Sequence, residues 1–318
     1  MKLPVIHGHN ALRRELLHAI TAPQHHHAWL LHGPRGVGKS LLAHEMAQAA
    51  LCLTSSPHPC MNCHSCTMIA ADSHPDLLLL KREEGRRDIS IAQVRHMLNF
   101  VALTSYEGGM RIVIIDDAER MNGAAANALL KGLEEPAAGA VIIMVCGDLH
   151  QLPATIRSRC RVQTCRALDE RSTYAVLHQI GVAESALDMA TKLAQGRPGR
   201  AAALCDEQWR EHLQRWQELT TDLSDIDIGE MQQLLASKWS PQPLSLAVTM
   251  ILEKIKPQLA HYPFAIADRL LEICQRLAEA PARIEQQSLR CDQAILGPVI
   301  ELRGVLAQQS SHATSTPG

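Results

Sequence analysis

The sequence contains no long apolar run and has almost no excess charge of either sign. No stretch approaches the ~18 consecutive apolar residues that a membrane-spanning helix requires, and residues 1–10 lack the apolar segment of a secretory signal. We therefore expect a cytoplasmic protein with no membrane partner. The formal net charge is −2 over 318 residues, which is not the basic excess typical of a protein that grips nucleic acid on its own.

Apolar residues, by contrast, are plentiful and make up 46% of the chain. Such a chain can bury proper hydrophobic cores, and its length predicts two or three folded domains. The sequence also contains ten cysteines. In a cytoplasmic protein these are better explained as thiols or metal ligands than as disulfides.

The clearest motif spans residues 33–40 and matches the phosphate-binding loop pattern G-x-x-x-x-G-K-[ST] at every fixed position. Gly36 and Gly38 would let the backbone curl around an anion. Lys39 can reach terminal phosphates, and the Ser40 hydroxyl can ligate Mg²⁺. An apolar strand precedes the motif and a helical pattern follows it, so a chance glycine-rich turn is a poor alternative. We predict that ATP or ADP, with Mg²⁺, binds here.

The first half of the chain shows strands alternating with helices, the pattern of a parallel α/β sheet. The third predicted strand is an unbroken apolar run, which suits a parallel sheet covered on both faces. A short amphipathic helix is predicted within residues 5–22. The predicted strands are 28–32, 76–80, 111–116, 141–145 and 161–164, and the helices between them are 41–47, 89–103 and 124–134.

After about Cys165 no strand pattern recurs. Residues 167–205 predict two or three short helices, and longer helical periods follow at 244–255 and 266–277. We therefore predict four regions along the chain: a phosphate-loop domain at 1–165, a small helical lid at 166–206, an all-α domain at 207–308 and a disordered tail at 309–318.

Two acids, Asp116 and Asp117, end the third predicted strand. An acid at the carboxyl end of a strand beside the phosphate loop lies where Mg²⁺ is held, so Asp116 is the candidate metal-side acid. Asp117 stands where a hydrolysing protein would carry a glutamate to polarise the attacking water, but aspartate is one methylene shorter. Alternatively, both acids simply cap the turn. The predicted nucleotide-binding residues are Gly33, Pro34, Arg35, Gly36, Val37, Gly38, Lys39, Ser40 and Asp116.

A second cluster contains four cysteines with the spacing C-x7-C-x2-C-x2-C. Four thiolates that converge on one Zn²⁺ form a closed tetrahedral structural site with no open catalytic position. His58 and His64 are possible substitutes for one cysteine, and a redox pair or unliganded thiols are the alternatives to zinc. The predicted metal ligands are Cys52, Cys60, Cys63 and Cys66.

Together these features resemble the clamp-loader branch of the AAA+ ATPases. The match covers roughly residues 5–205 in the order typical of the family, whereas residues 206–318 match only in length and helical character. The segments that carry the resemblance are His27–Ser40, the four-cysteine insertion, His74–Asp76, Ile91–Arg95, Ala125–Pro136 and Ser158–Cys160.

The resemblance implies an AAA+ domain with a zinc module at about 52–66, a lid and a helical collar that joins the subunits of a hetero-pentamer. Such an assembly, with delta and gamma/tau subunits as partners, loads a sliding clamp onto primer-template DNA. Arg157 and Arg159 would by themselves be two surface arginines. The resemblance implies that Arg159 is an arginine finger, which contacts the nucleotide of a neighbouring subunit in trans.

The sequence departs from the hydrolysing subunits of that family at three positions. Asp117 replaces the catalytic glutamate, and the position of a phosphate-sensing threonine falls at Cys146-Gly147. The phosphate-sensing arginine of the lid aligns with Gly199, beside Arg200. These departures favour a structural stator subunit with weak or no ATPase of its own. The alternatives are a gamma/tau-type motor subunit and another AAA+ protein that acts on DNA junctions.

Overall fold

The protein forms two compact units in a computed structural model; the first ends at Val176 and the second begins at Leu177. The finer predicted division, with a lid at 166–206 and a separate all-α domain at 207–308, stays a prediction. The residues that the structure describes are 6–54, 59–83, 86–107, 109–205, 207–237, 239–287 and 289–313.

The described part of the first unit contains one sheet of five parallel strands. The strands are β1 (Ala28–His32), β2 (Leu77–Leu80), β3 (Arg111–Ile115), β4 (Ala140–Cys146) and β5 (Arg161–Thr164). Their order across the sheet is β2-β3-β4-β1-β5. The register pairs His32 at the end of β1 with Cys146 on one side and Thr164 on the other. The carboxyl ends of these strands therefore share one edge of the sheet, where α/β proteins bind ligands.

Helices connect the strands and cover both faces of the sheet. Alternate residues of β1 point to opposite faces, as the period of a strand requires. Leu30 belongs to an apolar cluster with Val94 and Leu129, whereas Trp29 belongs to a second cluster with Leu42. The parallel α/β class expected from the sequence is confirmed. The helices are α1 (Asn10–Ile20), α2 (Lys39–Ala50), α3 (His64–Ala70), α4 (Ile91–Ala102), α5 (Gly123–Glu134) and α6 (Ala154–Arg157). Helix α7 (Glu170–Gln179) follows the last strand and includes the boundary between the two units.

The ends of the first-unit elements differ from the predicted ends for local reasons. Helix α1 begins only at Asn10 because Gly8 and His9 have φ values of 77° and 53°, outside the right-handed helical region. Strand β2 begins at Leu77 rather than Asp76. The backbone carbonyl of Asp76 still accepts a 2.9 Å hydrogen bond from the N–H of Ile112, and its carboxylate accepts one of 2.8 Å from the N–H of Tyr106.

The His74–Asp76 segment joins the cysteine module to the sheet through buried polar contacts. The Nε2 atom of His74 lies 2.9 Å from the Oγ atom of Ser65 in α3, and its Nδ1 atom accepts a 3.1 Å hydrogen bond from the backbone N–H of Asp76. Both His74 and Asp76 are buried. The motif therefore has a structural explanation, since it fixes α3 beside the start of β2.

All the regular secondary structure described in the second unit is helical. The predicted helices 244–255 and 266–277 lie within longer ones, because Pro241 is tolerated in a first helical turn and one helix continues through Pro281. The helices are α8 (Leu187–Ala194), α9 (Pro198–Ala201), α10 (Glu207–Leu219), α11 (Ile228–Ala236), α12 (Pro241–Ile255), α13 (Phe264–Gln287) and α14 (Cys291–Ala313).

Helix α14 includes residues 309–313 of the predicted disordered tail. The rest of that tail, residues 314–318, lies outside the described residues. Within the part of the chain that the structure describes, every helix is too short or too polar to span a bilayer.

Candidate nucleotide site and cysteine cluster

The phosphate-binding loop connects β1 to α2, and its backbone path explains its glycines. Gly36 and Gly38 have φ values of 85° and 99°, in the left-handed region that favours glycine. Gly33 has a φ of 146°, and a Cβ atom there would lie 2.0 Å from the carbonyl oxygen of Cys165. A side chain at Gly33 would therefore force the loop away from the end of β5.

Lys39 begins α2 and is only 6% exposed. Its ammonium group donates hydrogen bonds to the carbonyl oxygens of Gly33 at 2.7 Å and Pro34 at 2.9 Å. Burial lowers the pKa of Lys39. The cation is thus held against the loop, where phosphate oxygens would be stronger, charge-assisted partners than these carbonyls.

Ser40 and Asp116, the two predicted magnesium-side residues, lie in direct contact. The Ser40 hydroxyl donates a hydrogen bond of 3.0 Å to the Oδ1 atom of Asp116. The same oxygen accepts a 3.1 Å hydrogen bond from the backbone N–H of Asp117. A hydroxyl and a carboxylate side by side offer the oxygen ligands that Mg²⁺ prefers, so the donor set fits this ion.

The side chain of Asp117 faces Arg35 of the phosphate loop. Its φ of 50° starts a short 3₁₀ turn, Ala118–Arg120, and its Oδ1 atom lies 3.2 Å from the guanidinium of Arg35. Partial burial raises the pKa of Asp117, and the positive charge of Arg35 opposes that effect. The carboxylate is therefore engaged by a loop cation.

A second carboxylate in this site, Glu119, was missed by the sequence analysis. Its side chain is only 4% exposed. Its Oε1 atom accepts a 2.9 Å hydrogen bond from the backbone N–H of Gly147 and lies 3.5 Å from Arg35. The only sequence signal is an acid two residues beyond Asp117, and the 3₁₀ turn that brings it back over the strand end is not visible in the pattern.

Gly147 follows β4, at the position where the resemblance places a phosphate-sensing side chain. A Cβ atom at Gly147 would lie 3.0 Å from the Oε1 atom of Glu119 and 3.4 Å from Arg35. The side chains of Glu119 and Arg35 therefore fill the space into which a sensor side chain would project.

Arg159 lies just after α6, and its guanidinium contacts groups other than the phosphate loop. It forms a 2.7 Å ion pair with Glu134 at the end of α5 and donates a 3.0 Å hydrogen bond to the carbonyl oxygen of Thr155. The side chain is 36% exposed. Arg159 is thus held at its position and still open to solvent.

In the second unit, Arg200 is occupied by local contacts. It donates hydrogen bonds to the hydroxyl of Thr249 and, at 3.2 Å, to the side-chain oxygen of Gln195. Burial lowers the pKa of Arg200 to about 10. Gly199, at the aligned position, is part of α9.

The four cysteine sulfurs converge at the end of α2 and the start of α3. All four lie within 4.8 Å of one another, and the Cys52–Cys63 and Cys60–Cys66 sulfur pairs are each 4.0 Å apart. A tetrahedral zinc with Zn–S bonds of about 2.3 Å would place its sulfurs about 3.8 Å apart. The spacing therefore fits Zn²⁺ with small adjustments.

Backbone N–H groups point at these sulfurs, as a thiolate site requires. Cys52 accepts from the N–H of Cys60 at 3.4 Å, Cys60 from Cys63 at 3.3 Å and Cys63 from Cys66 at 3.4 Å. Hydrogen bonds of this kind lower the pKa of Cys60. His64 is exposed, and His58, the other alternative ligand, lies outside the described residues.

A parallel sheet with a phosphate loop after β1 and acids after β3 defines the class of P-loop nucleotide-binding proteins. A family model described as "DNA polymerase III, delta subunit" matches residues 8–169, half of the chain. This match and two relatives that are DNA polymerase III subunits delta-prime show that the chain belongs to the delta-prime family of DNA polymerase III clamp-loader subunits.

The DNA polymerase III subunit delta-prime of Pseudomonas aeruginosa is 36% identical over 226 residues, 70% of this chain and 68% of that protein. The subunit delta-prime of Escherichia coli strain K12 is 29% identical over 294 residues, 91% of this chain and 85% of that protein. A solved structure of a DNA polymerase III gamma subunit-related protein from Thermotoga maritima matches with a TM-score of 0.55 and 16% identity. The match covers 93% of this chain and 98% of the Thermotoga maritima chain. At 16% identity it supports the fold alone.

Proposed function

We propose that this chain is a stator subunit of a clamp loader and supplies Arg159 to a nucleotide bound by a neighbouring subunit. The observation that carries the proposal is the setting of Arg159. It is a partly exposed guanidinium whose described contacts lie in α5, α6 and Ser158, and not in the phosphate loop of its own chain. An arginine in such a place is available to a partner.

The fork of a guanidinium matches phosphate oxygens, and its charge can stabilise the transition state of phosphoryl transfer. The Glu134 carboxylate and the Thr155 carbonyl hold the Arg159 side chain in one orientation. A held side chain loses less conformational entropy when it meets a phosphate than a free one would.

The chain's own phosphate loop would bind ATP or ADP, with Ser40 and Asp116 as the residues that would hold Mg²⁺, but it would hydrolyse ATP poorly. Asp117 is paired with Arg35, and no hydroxyl stands at Gly147 to sense the γ-phosphate. A specific observation, the intact Ser40–Asp116 contact, favours a second candidate. That candidate is a hydrolysing gamma/tau-type motor subunit.

Cys52, Cys60, Cys63 and Cys66 hold one Zn²⁺ in a structural role. Four thiolates leave the metal no open position for substrate, so the ion would cross-link the loop between α2 and α3. Three of the four thiols, those of Cys52, Cys60 and Cys63, are partly exposed, and that of Cys66 is buried.

The proposed assembly is a hetero-pentamer with delta and gamma/tau subunits, joined through the collar at 207–308, with the lid at 166–206. Through the complex, the chain acts on a sliding clamp and primer-template DNA in the cytoplasm. The delta-prime relatives support this assembly.

The test is the substitution Arg159→Ala in a reconstituted clamp loader. An arginine finger is typically worth roughly 10³–10⁵ in kcat at its own site, and several active sites in one complex dilute that loss. We expect the DNA- and clamp-stimulated ATPase and the rate of clamp loading to fall. Zinc content and the melting temperature of the variant chain should stay at wild-type values.

Arg157→Ala, two residues earlier, is the matched control and should have a much smaller effect. If the Arg159→Ala complex assembles normally and hydrolyses ATP at the wild-type rate, Arg159 has no role in trans.

A further inference from the structure

The buried carboxylate of Glu119 has one oxygen with no partner. Oε1 is engaged by Gly147 and Arg35, but Oε2 is buried and has no hydrogen-bond partner among the described residues. Leaving a charged group unsatisfied in the interior is expensive, and buried polar atoms almost always have a partner. The unpaired oxygen therefore calls for a hydrogen-bond donor that these residues do not supply, such as a water molecule or a ligand.

Glu119 lies beside the phosphate-binding groups. Arg35 belongs to the loop itself, and Gly147 follows β4, the strand paired with β1 along its whole length. The negative charge of Glu119 acts on Lys39 in the direction that favours the ammonium form. Glu119 therefore faces the end of the pocket into which the phosphate chain of a nucleotide would extend.

Three carboxylates lie close together here, those of Asp116, Asp117 and Glu119, and the nearby cations include Arg35 and Lys39. One guanidinium, that of Arg35, faces the carboxylates of both Asp117 and Glu119. A carboxylate can only accept hydrogen bonds, whereas the hydroxyl of a sensor threonine donates one to a phosphate oxygen. Repulsion between charges is stronger at a buried site than in water, because the effective dielectric constant is lower.

We propose that Glu119 makes this pocket select a nucleoside diphosphate over a nucleoside triphosphate. The proposal rests on the proposed binding of nucleotide at residues 33–40. A γ-phosphate would bring further negative charge toward the Glu119 carboxylate, whereas a diphosphate ends earlier. The diphosphate leaves room for a water molecule that donates a hydrogen bond to Oε2. Glu119 is thus a specificity determinant rather than a catalytic residue.

The test compares binding of ADP and a non-hydrolysable ATP analogue to the purified full chain, with Mg²⁺, by titration calorimetry. For the wild type, we expect ADP to bind about tenfold more tightly than the analogue. In Glu119→Gln the side chain keeps its shape and loses its charge. The affinity for the analogue should rise about tenfold, and the affinity for ADP should change by less than about twofold.

Asp148→Asn is the matched control, because Asp148 follows Gly147 and its carboxylate is exposed to water. Because water and salt screen an exposed charge, this substitution should change the ratio of the ADP and analogue affinities by less than about twofold. Asparagine can still cap the short turn that follows. Glu119→Ala is a second variant that removes the same charge, and a thermal melt of each variant checks folding.

Equal affinities of the wild-type chain for ADP and the analogue would overturn the inference, and this result needs no variant. So would a Glu119→Gln protein that loses ADP and analogue binding together, because Glu119 would then only support the pocket. If the wild type binds neither nucleotide, both this inference and the nucleotide binding under the proposed function are wrong. Equal affinities of the wild type for ADP and the analogue would not contradict the proposed function.

Discussion

Lys39 is the single side chain on which nucleotide binding should depend most. Its ammonium group is buried against the carbonyl oxygens of Gly33 and Pro34. Lys39→Ala removes the cation that would bind the terminal phosphates, and charge-assisted contacts of this kind are the strong ones. We expect the dissociation constant for ADP, measured by titration calorimetry, to rise at least about tenfold.

Lys131→Ala is the control for that measurement, since Lys131 lies on the exposed face of α5. It should leave ADP binding unchanged. Unaltered binding in Lys39→Ala itself would mean that nucleotide does not bind at residues 33–40.

At the scale of residues, the sequence identifies those groups whose neighbours are set by a short motif. The loop glycines and Ser40 can be identified from the sequence because the backbone path of the loop requires the spacing of the motif. Glu119 is not found, because its partner Gly147 is 28 positions away and only the folded sheet brings them together. The same holds for the ion pair between Arg159 and Glu134.

Among the elements, the cysteine module should depend most on a bound ion. Removing one thiolate by Cys63→Ser breaks the four-sulfur shell, whereas the serine hydroxyl can still accept the N–H of Cys66 that the Cys63 sulfur accepts. We expect the zinc content of purified protein to fall from about one per chain and the melting temperature to fall with it.

Cys205→Ser, a partly buried thiol in the second unit, is the control and should keep its zinc. Metal analysis that finds no zinc in wild-type protein purified without chelators would show the four sulfurs to be ordinary thiols.

The elements themselves were predicted more accurately than their ends. The strands β1, β3 and β4 are found because a buried parallel strand leaves a nearly continuous apolar run in the sequence, whereas β5 is a polar and mostly exposed edge strand. The start of α1 was missed because the positive φ values of Gly8 and His9 depend on packing. Packing constrains the backbone at Gly8, because a Cβ atom there would lie 2.6 Å from the side chain of Leu168.

For the whole molecule, we expect the isolated chain to hydrolyse ATP at least about a hundredfold more slowly than the ~10 s⁻¹ of a typical enzyme. Asp117 is held by Arg35, and Glu119 is held by Gly147. Neither carboxylate is free to move toward an attacking water. Steady-state phosphate release from the chain alone measures this, repeated with the other clamp-loader subunits present.

Brisk turnover by the isolated chain, abolished by Asp117→Asn, would instead support the motor subunit. The same assay on Lys39→Ala separates turnover at residues 33–40 from a contaminating ATPase.

The order of the strands also has a consequence for biosynthesis. Strand β1 emerges early, yet its two neighbours in the sheet are β4 and β5. At about 5–20 residues per second, the ribosome needs on the order of ten seconds to proceed from β1 to Ala140–Cys146. During that interval β1 has neither of its native neighbours in the sheet, and its apolar side chains stay open to other contacts. We therefore expect this segment to be a binding site for chaperones during synthesis.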